Sequence, residues 1–163
     1  MRLEFLLRSV LLGLPLGVTF FDSFGYVAKV DGLSMQPVLN PDPAVTDYVF
    51  LKRWSLEVRR GDIVSLSSPK DPKQKLIKRV VGLEGDVIAT LCYRKPFVKV
   101  PTGHCWVEGD HAGHSLDSNH FGPVSRGLIT AKATWIVWPP SRWQLLKSRV
   151  PAGRLPVNLS TNS

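Results

Sequence analysis

The sequence lacks the patterns by which several large functional classes are recognised. It has only two cysteines, Cys92 and Cys105, and no CxxC pair, which excludes a disulfide framework and a thiol-based redox or metal motif. One bridge between them is conceivable in an oxidising compartment, but we favour two free thiols. A GxSxG segment and an HExxH segment are both absent, so neither an α/β-hydrolase nor a zinc peptidase is indicated. Internal repeats and low-complexity tracts are absent as well.

Acidic residues are few: 13 stand against 21 lysines and arginines, giving a formal net charge of +8. Such an excess suits nucleic acid, an anionic membrane or an acidic partner. The basic residues are spread along the chain and do not cluster with aromatics on one segment, as they usually do in nucleic-acid-binding proteins. We therefore expect a solvated basic surface near anionic lipid and no nucleic-acid partner.

The N-terminal apolar run is short, covering only residues 9–21 without a charge. A membrane-spanning helix needs about 20 apolar residues. Extension back to Leu3 gives that length if Glu4 and Arg8 reach the headgroups. A cleaved secretory signal would need an A-x-A site, which is absent, and a mitochondrial presequence would be less apolar. We expect residues 1–25 to form a retained membrane anchor with its basic end on the matrix or cytoplasmic side.

After residue 25 the pattern changes to short β-rich runs separated by Gly, Pro, Asp and Asn. Strands at this spacing predict a mainly β, antiparallel domain over residues 26–150, with a tight turn at residues 83–86. Residues 141–150 favour one short amphipathic helix, and residues 151–163 a flexible tail. The predicted strands cover residues 26–30, 47–54, 62–68, 75–82, 86–91, 95–100, 104–110 and 127–138.

The histidines raise the alternative of a metal site. His111 and His114 lie close to Cys105, but their spacing matches no common ligand motif, and the surrounding Gly, Asp and Ser indicate a loop. We predict no metal and no cofactor.

A serine and a lysine form a more specific combination. Ser34 follows a short strand in GLSMQP, and Lys78 lies within the apolar strand LIKRVVG. Burial among apolar side chains disfavours a charged lysine and lowers its pKa, and a neutral lysine can accept the proton of a serine hydroxyl. A solvent-facing lysine is the ordinary alternative. It is weakened because Arg79 follows directly, and alternation turns at least one of the two cations inward or to a sheet edge.

An inward-facing cation needs a partner, and the stretch after residue 107 offers several. Asp110 and Asp117 are candidates to pair with Arg79. Ser115 and Ser118 carry hydroxyls that are candidates to hold the amine of Lys78.

Three segments resemble the signature boxes of the type I signal peptidases. They are GLSMQP around Ser34, RGDIV at 60–64 with LIKRVVGLEGD at 76–86, and GDHAGHSLDSN at 109–119. Their order and approximate spacing match those of the family. The last box has Asn119 where other members more often carry Arg, and is most similar to the mitochondrial inner membrane members.

The resemblance implies a signal-peptidase-like antiparallel β domain that acts as a serine endopeptidase. Ser34 would be the nucleophile, Lys78 its general base, and Ser115 the hydroxyl that orients the lysine. Asp110 and Asp117 would hold Arg79 and the loop. Pockets for small substrate side chains would be walled by Val30, Met35, Leu39, Leu76 and Ile77.

One position departs from the resemblance. Many members carry a serine two residues before the nucleophile, and its hydroxyl helps to hold the oxyanion of the intermediate. Gly32 occupies that position here. The oxyanion hole would then depend on the backbone N–H of Ser34 and on a further donor.

The resemblance also implies a cellular context. The chain would cross the mitochondrial inner membrane once, contact its lipid, and face the intermembrane space. Its substrates would be proteins that still carry a sorting presequence, and its partner a second, related protease subunit. Three alternatives remain: a non-catalytic stabilising subunit, a bacterial-type signal peptidase, and a self-cleaving Ser/Lys protein of the repressor type, against which the anchor argues.

Overall fold

The computed structural model describes residues 24–111 and 113–157. The anchor predicted over residues 1–25 therefore lies almost entirely outside the described residues. Within the described ranges, no helix is both long enough and apolar enough to cross a membrane.

Strands dominate the described chain. One short helix, α1 (Ser118–Phe121), and two 3-10 turns, Arg126–Leu128 and Pro140–Arg142, accompany them. Each predicted strand is present within a few residues of its expected bounds, whereas the two-residue strands β8 and β10 were not predicted. The strands are β1 (Gly25–Lys29), β2 (Tyr48–Lys52), β3 (Ile63–Ser67), β4 (Lys75–Gly82), β5 (Val87–Ala89), β6 (Phe97–Lys99), β7 (His104–Glu108), β8 (Val124–Ser125), β9 (Ile129–Trp138) and β10 (Gln144–Leu145).

Eight of these strands form one sheet in the order β1-β2-β9-β3-β4-β7-β8, with β10 paired to β9. The hairpin of β5 and β6 forms a separate two-stranded sheet. All pairings in both sheets are antiparallel. The prediction of a mainly antiparallel β domain is therefore confirmed.

Strand β9 organises the sheet because it pairs with β2, β3 and β10. Its sequence, ITAKATWIVW, alternates in polarity, and a strand turns successive side chains to opposite faces. Ile129, Ala131 and Ala133 are accordingly buried, and Ile136 is buried as well because the register of β9 shifts between Ala133 and Trp135. The main core cluster joins the last three of these to residues of β2, β3 and the loop after β1.

Strand β4 lies between β3 and β7 and is buried on both faces from Lys78 to Gly82. Neighbouring side chains of a strand point to opposite faces. Lys78 and Arg79 are only 3% and 4% exposed, so both cations are withdrawn from water. The expectation that at least one of them turns inward is confirmed.

The predicted turn after β4 is also present. The Asp86 N–H donates to the Leu83 carbonyl at 3.0 Å, and Gly85 adopts a φ of 84° that favours glycine. The turn leads out of the main sheet into the β5–β6 hairpin.

The helix predicted over residues 141–150 is wrong. Pro139 precedes a 3-10 turn that begins at Pro140, after which Gln144 and Leu145 form β10. Strand β10 pairs with Ile136 and Trp135 of β9, beyond the end of the β3 pairing. The open edge of β9 thus takes up this segment, and tertiary pairing overrides its helical periodicity.

The predicted flexible tail divides into two parts. Residues 158–163 lie outside the described residues. Residues 151–157 lie against the domain, where Pro156 is buried and Arg154 forms an ion pair with Glu108.

Both cysteines are free thiols. Cys92 is exposed and Cys105 is buried, so the conceivable bridge is not formed. Burial raises the pKa of the Cys105 thiol to about 11, which keeps it protonated and unreactive.

Candidate active site

Ser34 and Lys78, the predicted nucleophile and base, lie side by side. Ser34 lies on the turn-rich segment between β1 and β2, and Lys78 lies midway along β4. The Lys78 Nζ lies 2.7 Å from Ser34 Oγ and donates to the Ile77 carbonyl at 3.0 Å. Desolvation lowers the pKa of Lys78, an effect partly opposed by the negative charges of Asp117 and Asp110. An amine whose neutral form is favoured in this way can accept a proton from the hydroxyl beside it.

The segment that carries Ser34 is fixed from both of its sides. Met35 and Leu39 are buried in the main core, and the Leu39 N–H donates to the Met35 carbonyl. Asn40 and Asp47 exchange two hydrogen bonds of 2.8 Å between the backbone N–H of each and the side chain of the other. These contacts hold Ser34 in one place relative to β4.

A second loop, residues 109–119, packs against the serine. The His111 N–H donates to the Ser34 carbonyl at 3.1 Å, and His111 Nδ1 lies 3.3 Å from the Leu33 carbonyl. A Cβ at Gly109 would meet the Ser34 carbonyl oxygen at 2.4 Å and Ser115 Oγ at 2.3 Å. Only glycine permits this approach, so the loop brings Ser115 close to the nucleophile.

Ser115 does not make the hydrogen bond expected of it. Its Oγ is buried and has no hydrogen-bond partner among the described residues, and the Lys78 amine bonds elsewhere. Ser118, the other candidate for holding the Lys78 amine, accepts the Val107 N–H at 3.0 Å and so links the loop to β7.

The two candidate carboxylates have separate partners. Asp110 binds Arg79 through two hydrogen bonds of 2.7 and 2.6 Å, and both side chains are almost fully buried. Arg79 also donates to the Gly61 carbonyl at 2.7 Å. Asp117 does not pair with Arg79. It caps α1 through the Asn119 N–H and accepts the Gly109 N–H at 2.9 Å, so it closes the loop on itself.

A cleft of about 410 Å³ opens beside the Ser34–Lys78 pair. Four of the five predicted pocket residues line it: Val30, Met35, Leu76 and Ile77. Leu39 does not, because it lies one helical turn beyond Met35 and is 0% exposed in the core. Leu39 instead belongs to the core cluster that also contains Met35.

A larger cleft of about 520 Å³ lies elsewhere, lined by Arg79 and Asp110 together with the segment after β10. Neither Ser34 nor Lys78 borders it. The two clefts lie on opposite faces of β4, because Lys78 and Arg79 are sequence neighbours on a strand. Only the smaller cleft brings a bound chain within reach of the serine hydroxyl.

Gly32 offers no side-chain donor for an oxyanion. Its φ is +88°, and no atom lies within 4 Å of the position that a Cβ would take. Its position therefore faces open space.

The histidines do not assemble a metal site. His111 and His114 stack with ring centroids 4.6 Å apart. In the part of the chain that the structure describes, no three His, Cys, Asp or Glu side chains gather as a metal site would require.

Three residues that contribute to this region are not among the predicted site residues. The sequence predicts only a loop position for His111, although its place next to Asp110 in the third box could have indicated a role at the site. Glu108 is buried and binds Arg154, a long-range pair that no local pattern announces. Arg142 likewise pairs with Asp47 below the Ser34 segment.

Comparisons with known proteins identify the family of the chain. The family model for signal peptidase, peptidase S26, matches residues 3–91 and 89–138. A protein of Danio rerio named mitochondrial inner membrane protease subunit 2 is 57% identical over 88% of this chain and 80% of its own length. The protein of that name in Homo sapiens is 56% identical over 92% of this chain and 88% of its own length. Subunit 1 of Mus musculus is 40% identical over 78% of each chain. A solved signal peptidase I from Enterococcus faecalis V583 is 21% identical, with a TM-score of 0.41 over 47% of this chain and 96% of that chain. This chain belongs to the signal peptidase family, peptidase S26.

Proposed function

We propose that the protein is a membrane-bound serine endopeptidase with a Ser34–Lys78 dyad. It would remove sorting presequences from proteins delivered to the mitochondrial intermembrane space. The observation that carries this proposal is the 2.7 Å contact between a buried lysine amine and a serine hydroxyl at the end of a cleft. The names of the subunit 2 relatives support the mitochondrial setting.

The proposed reaction is acyl transfer. Neutral Lys78 takes the proton of Ser34 Oγ, which attacks the carbonyl carbon of the scissile peptide. The oxyanion that forms is held by the Ser34 N–H, for which the described residues provide no acceptor. The Lys78 ammonium then protonates the leaving amine. In the second half, Lys78 takes a proton from water as the water oxygen attacks the acyl carbon. The bond from that carbon to Ser34 Oγ then breaks, and the Lys78 ammonium returns the proton to Ser34 Oγ.

Ser115 would orient the base. A neutral lysine amine has two N–H groups and one lone pair. The Ile77 carbonyl takes one N–H, and the Ser34 hydroxyl faces the lone pair. One N–H remains for Ser115 Oγ, which is buried nearby without a partner. A small side-chain rotation during substrate binding would complete this bond.

The cleft sets the proposed specificity. Val30, Met35, Leu76 and Ile77 give it apolar walls, which suit small apolar side chains at the first and third positions before the cut. The substrate would bind in an extended form along the neighbouring strand edge.

The outer face of the sheet supports contact with inner membrane lipid. Val27, Phe50, Trp135 and Leu145 form one cross-strand row. Val27, Trp135 and Leu145 are each about half exposed, at 54%, 49% and 54%. Exposed apolar patches of this kind mark membrane or protein contacts. The row begins at β1, directly after the proposed anchor. A single-pass topology facing the intermembrane space, with the related subunit 1 as partner, completes the proposal.

The test is cleavage of a presequence-bearing substrate by the complex in mitochondrial membranes. Ser34→Ala and Lys78→Ala should each lower kcat by about 10⁴-fold or more, because members of a catalytic unit fail together. Ser67 supplies a matched control, since it also accepts a lysine hydrogen bond of 2.7 Å, from Lys75, but lies outside the lining of the substrate cleft. Ser67→Ala should cleave normally. Normal processing by both dyad variants would contradict the proposal and favour the alternative of a non-catalytic stabilising subunit.

A further inference from the structure

Glu108 ends β7 at the point where the chain enters the loop of residues 109–119. Its carboxylate is 5% exposed and accepts the Trp106 indole N–H at 2.8 Å and the Asn119 amide N–H at 3.0 Å. A buried carboxylate is costly unless a cation compensates it. No neighbouring residue in sequence supplies that cation.

Arg154 supplies it from the C-terminal segment. Its Nε donates to Glu108 Oε2 at 2.7 Å, and a second guanidinium nitrogen binds Oε1 in a two-pronged contact. Its remaining nitrogen donates to the Ala89 carbonyl at 2.9 Å. One guanidinium therefore joins β5, the end of β7 and the C-terminal segment.

The contacts continue from Glu108 to both ends of the loop. Asn119 binds Glu108 with its amide nitrogen and also lies 3.3 Å from Asp117 Oδ1. Asp117 in turn accepts the Gly109 N–H at 2.9 Å. The first and last residues of the loop are thus tied together above the carboxylate that Arg154 holds.

The loop between these ends contacts the dyad directly. The His111 N–H donates to the Ser34 carbonyl, and Gly109 brings Ser115 beside it. A shift of the loop ends would therefore move the groups that fix Ser34 and that face Lys78.

We propose that Arg154 is a positioning residue for the Ser34–Lys78 dyad, acting through Glu108 on the loop of residues 109–119. The inference rests on the proposed function, because it requires the dyad to be catalytic. Without the guanidinium, Glu108 is left as an unpaired buried carboxylate that must take up a proton or turn towards water. Protonation weakens the hydrogen bond from Asn119 to Glu108 and a turn towards water breaks it, so either change loosens the loop ends.

The experiment uses the full chain in its complex and a soluble presequence peptide. Arg154→Met should lower kcat by about tenfold or more with little change in KM, because small displacements at a reacting centre are costly. Arg154→Lys, which keeps the charge, should recover most of the rate. The double variant Arg154→Met with Glu108→Gln should have a higher kcat than Arg154→Met alone, since it removes the unpaired charge. Arg149→Met is the control, because Arg149 lies on the same segment, is exposed, and has no carboxylate partner in the described ranges.

Each outcome decides the inference. A return of kcat towards the wild-type value in Arg154→Lys and in the double variant supports positioning through Glu108. A residue that only anchored the C-terminal segment would not give this recovery. An unchanged kcat in Arg154→Met overturns it, as does an equal loss in all three Arg154 variants. If Arg154→Met fails to fold, the double variant decides, since it buries no unpaired charge. A kcat near that of the wild type supports the inference, and a kcat tenfold or more below the wild type overturns it. Full activity of Ser34→Ala would instead refute the proposed function itself.

Discussion

Ser115 is the residue whose role differs most between the resting structure and the proposed reaction. Its hydroxyl is buried without a partner among the described residues. Removing such a group is neutral or slightly stabilising, because its desolvation is uncompensated. Ser115→Ala should therefore keep or raise the thermal midpoint. It should still lower kcat by about 10²-fold, since the base loses its orienting contact.

Ser118 provides the matched control for this prediction. Its Oγ accepts the Val107 N–H, so Ser118→Ala should cost about 1 kcal/mol of stability. Kinetics and thermal unfolding of both variants check the pair. A destabilised Ser115→Ala enzyme with normal kcat would assign Ser115 to the scaffold.

At this scale the sequence predicts residue types better than contacts. Ser34, Lys78 and Asp110 could be chosen from motifs, and the structure places Lys78 beside Ser34 and Asp110 beside Arg79. The pairing of Asp117 with Arg79 and the pocket position of Leu39 are not observed, because a loop carboxylate and a leucine four residues after Met35 each have several possible directions. Which of them faces the site depends on how distant elements pack.

At the scale of elements, the Arg79–Asp110 pair joins β4 to the loop of residues 109–119. Both side chains are about 95% buried, with exposures of 5% and 6%. Asp110→Asn would leave the guanidinium buried without its counter-charge, which typically costs about 3–5 kcal/mol. Urea unfolding should show this loss as a lower midpoint with an unchanged slope.

The exposed pair of Arg59 and Glu57 is the control for that measurement. It has a similar N–O distance of 2.7 Å, but both side chains are 68% exposed. Glu57→Gln should leave the urea midpoint nearly unchanged, because solvent screens an exposed ion pair. Equal effects of the two substitutions would mean that burial of the Arg79 pair does not matter.

The elements themselves follow from the sequence to different degrees. Strand β4 is predicted at its observed bounds, because its apolar run is bounded by turn residues on both sides. Strand β10 could not be predicted, because its two residues pair only where β9 extends beyond β3. The helical periodicity of residues 141–150 is real, but the edge of β9 decides their structure.

At the scale of the molecule, the exposed row on the outer face of the sheet predicts a dependence on lipid. Trp135→Glu with Leu145→Glu should lower cleavage of a vesicle-bound presequence by about tenfold or more. Burying such side chains is worth about 1.5–3 kcal/mol each, and 1.4 kcal/mol is tenfold. Cleavage of a soluble peptide should be unchanged. Leu91→Glu, at a site 57% exposed outside the row, is the control.

The overall architecture could be anticipated only in class. Alternating strands indicated an antiparallel β domain, but not that β4 separates two clefts or that the C-terminal segment returns to β7. Such long-range pairings depend on the packing of the whole chain, and a single sequence carries no local signal for them.

The pH dependence of kcat/KM tests the central claim, that neutral Lys78 activates Ser34. Burial lowers the pKa of Lys78 below its usual 10.5. Only the neutral amine is a base, so kcat/KM should rise tenfold per pH unit below that pKa and level off above it. We expect a single ascending limb with an apparent pKa below 10.5. This limb should be retained when His111 or His114 is replaced by Asn, and lost with the activity in Lys78→Ala. A limb that vanishes in either histidine variant, while Lys78→Ala remains active, would contradict it.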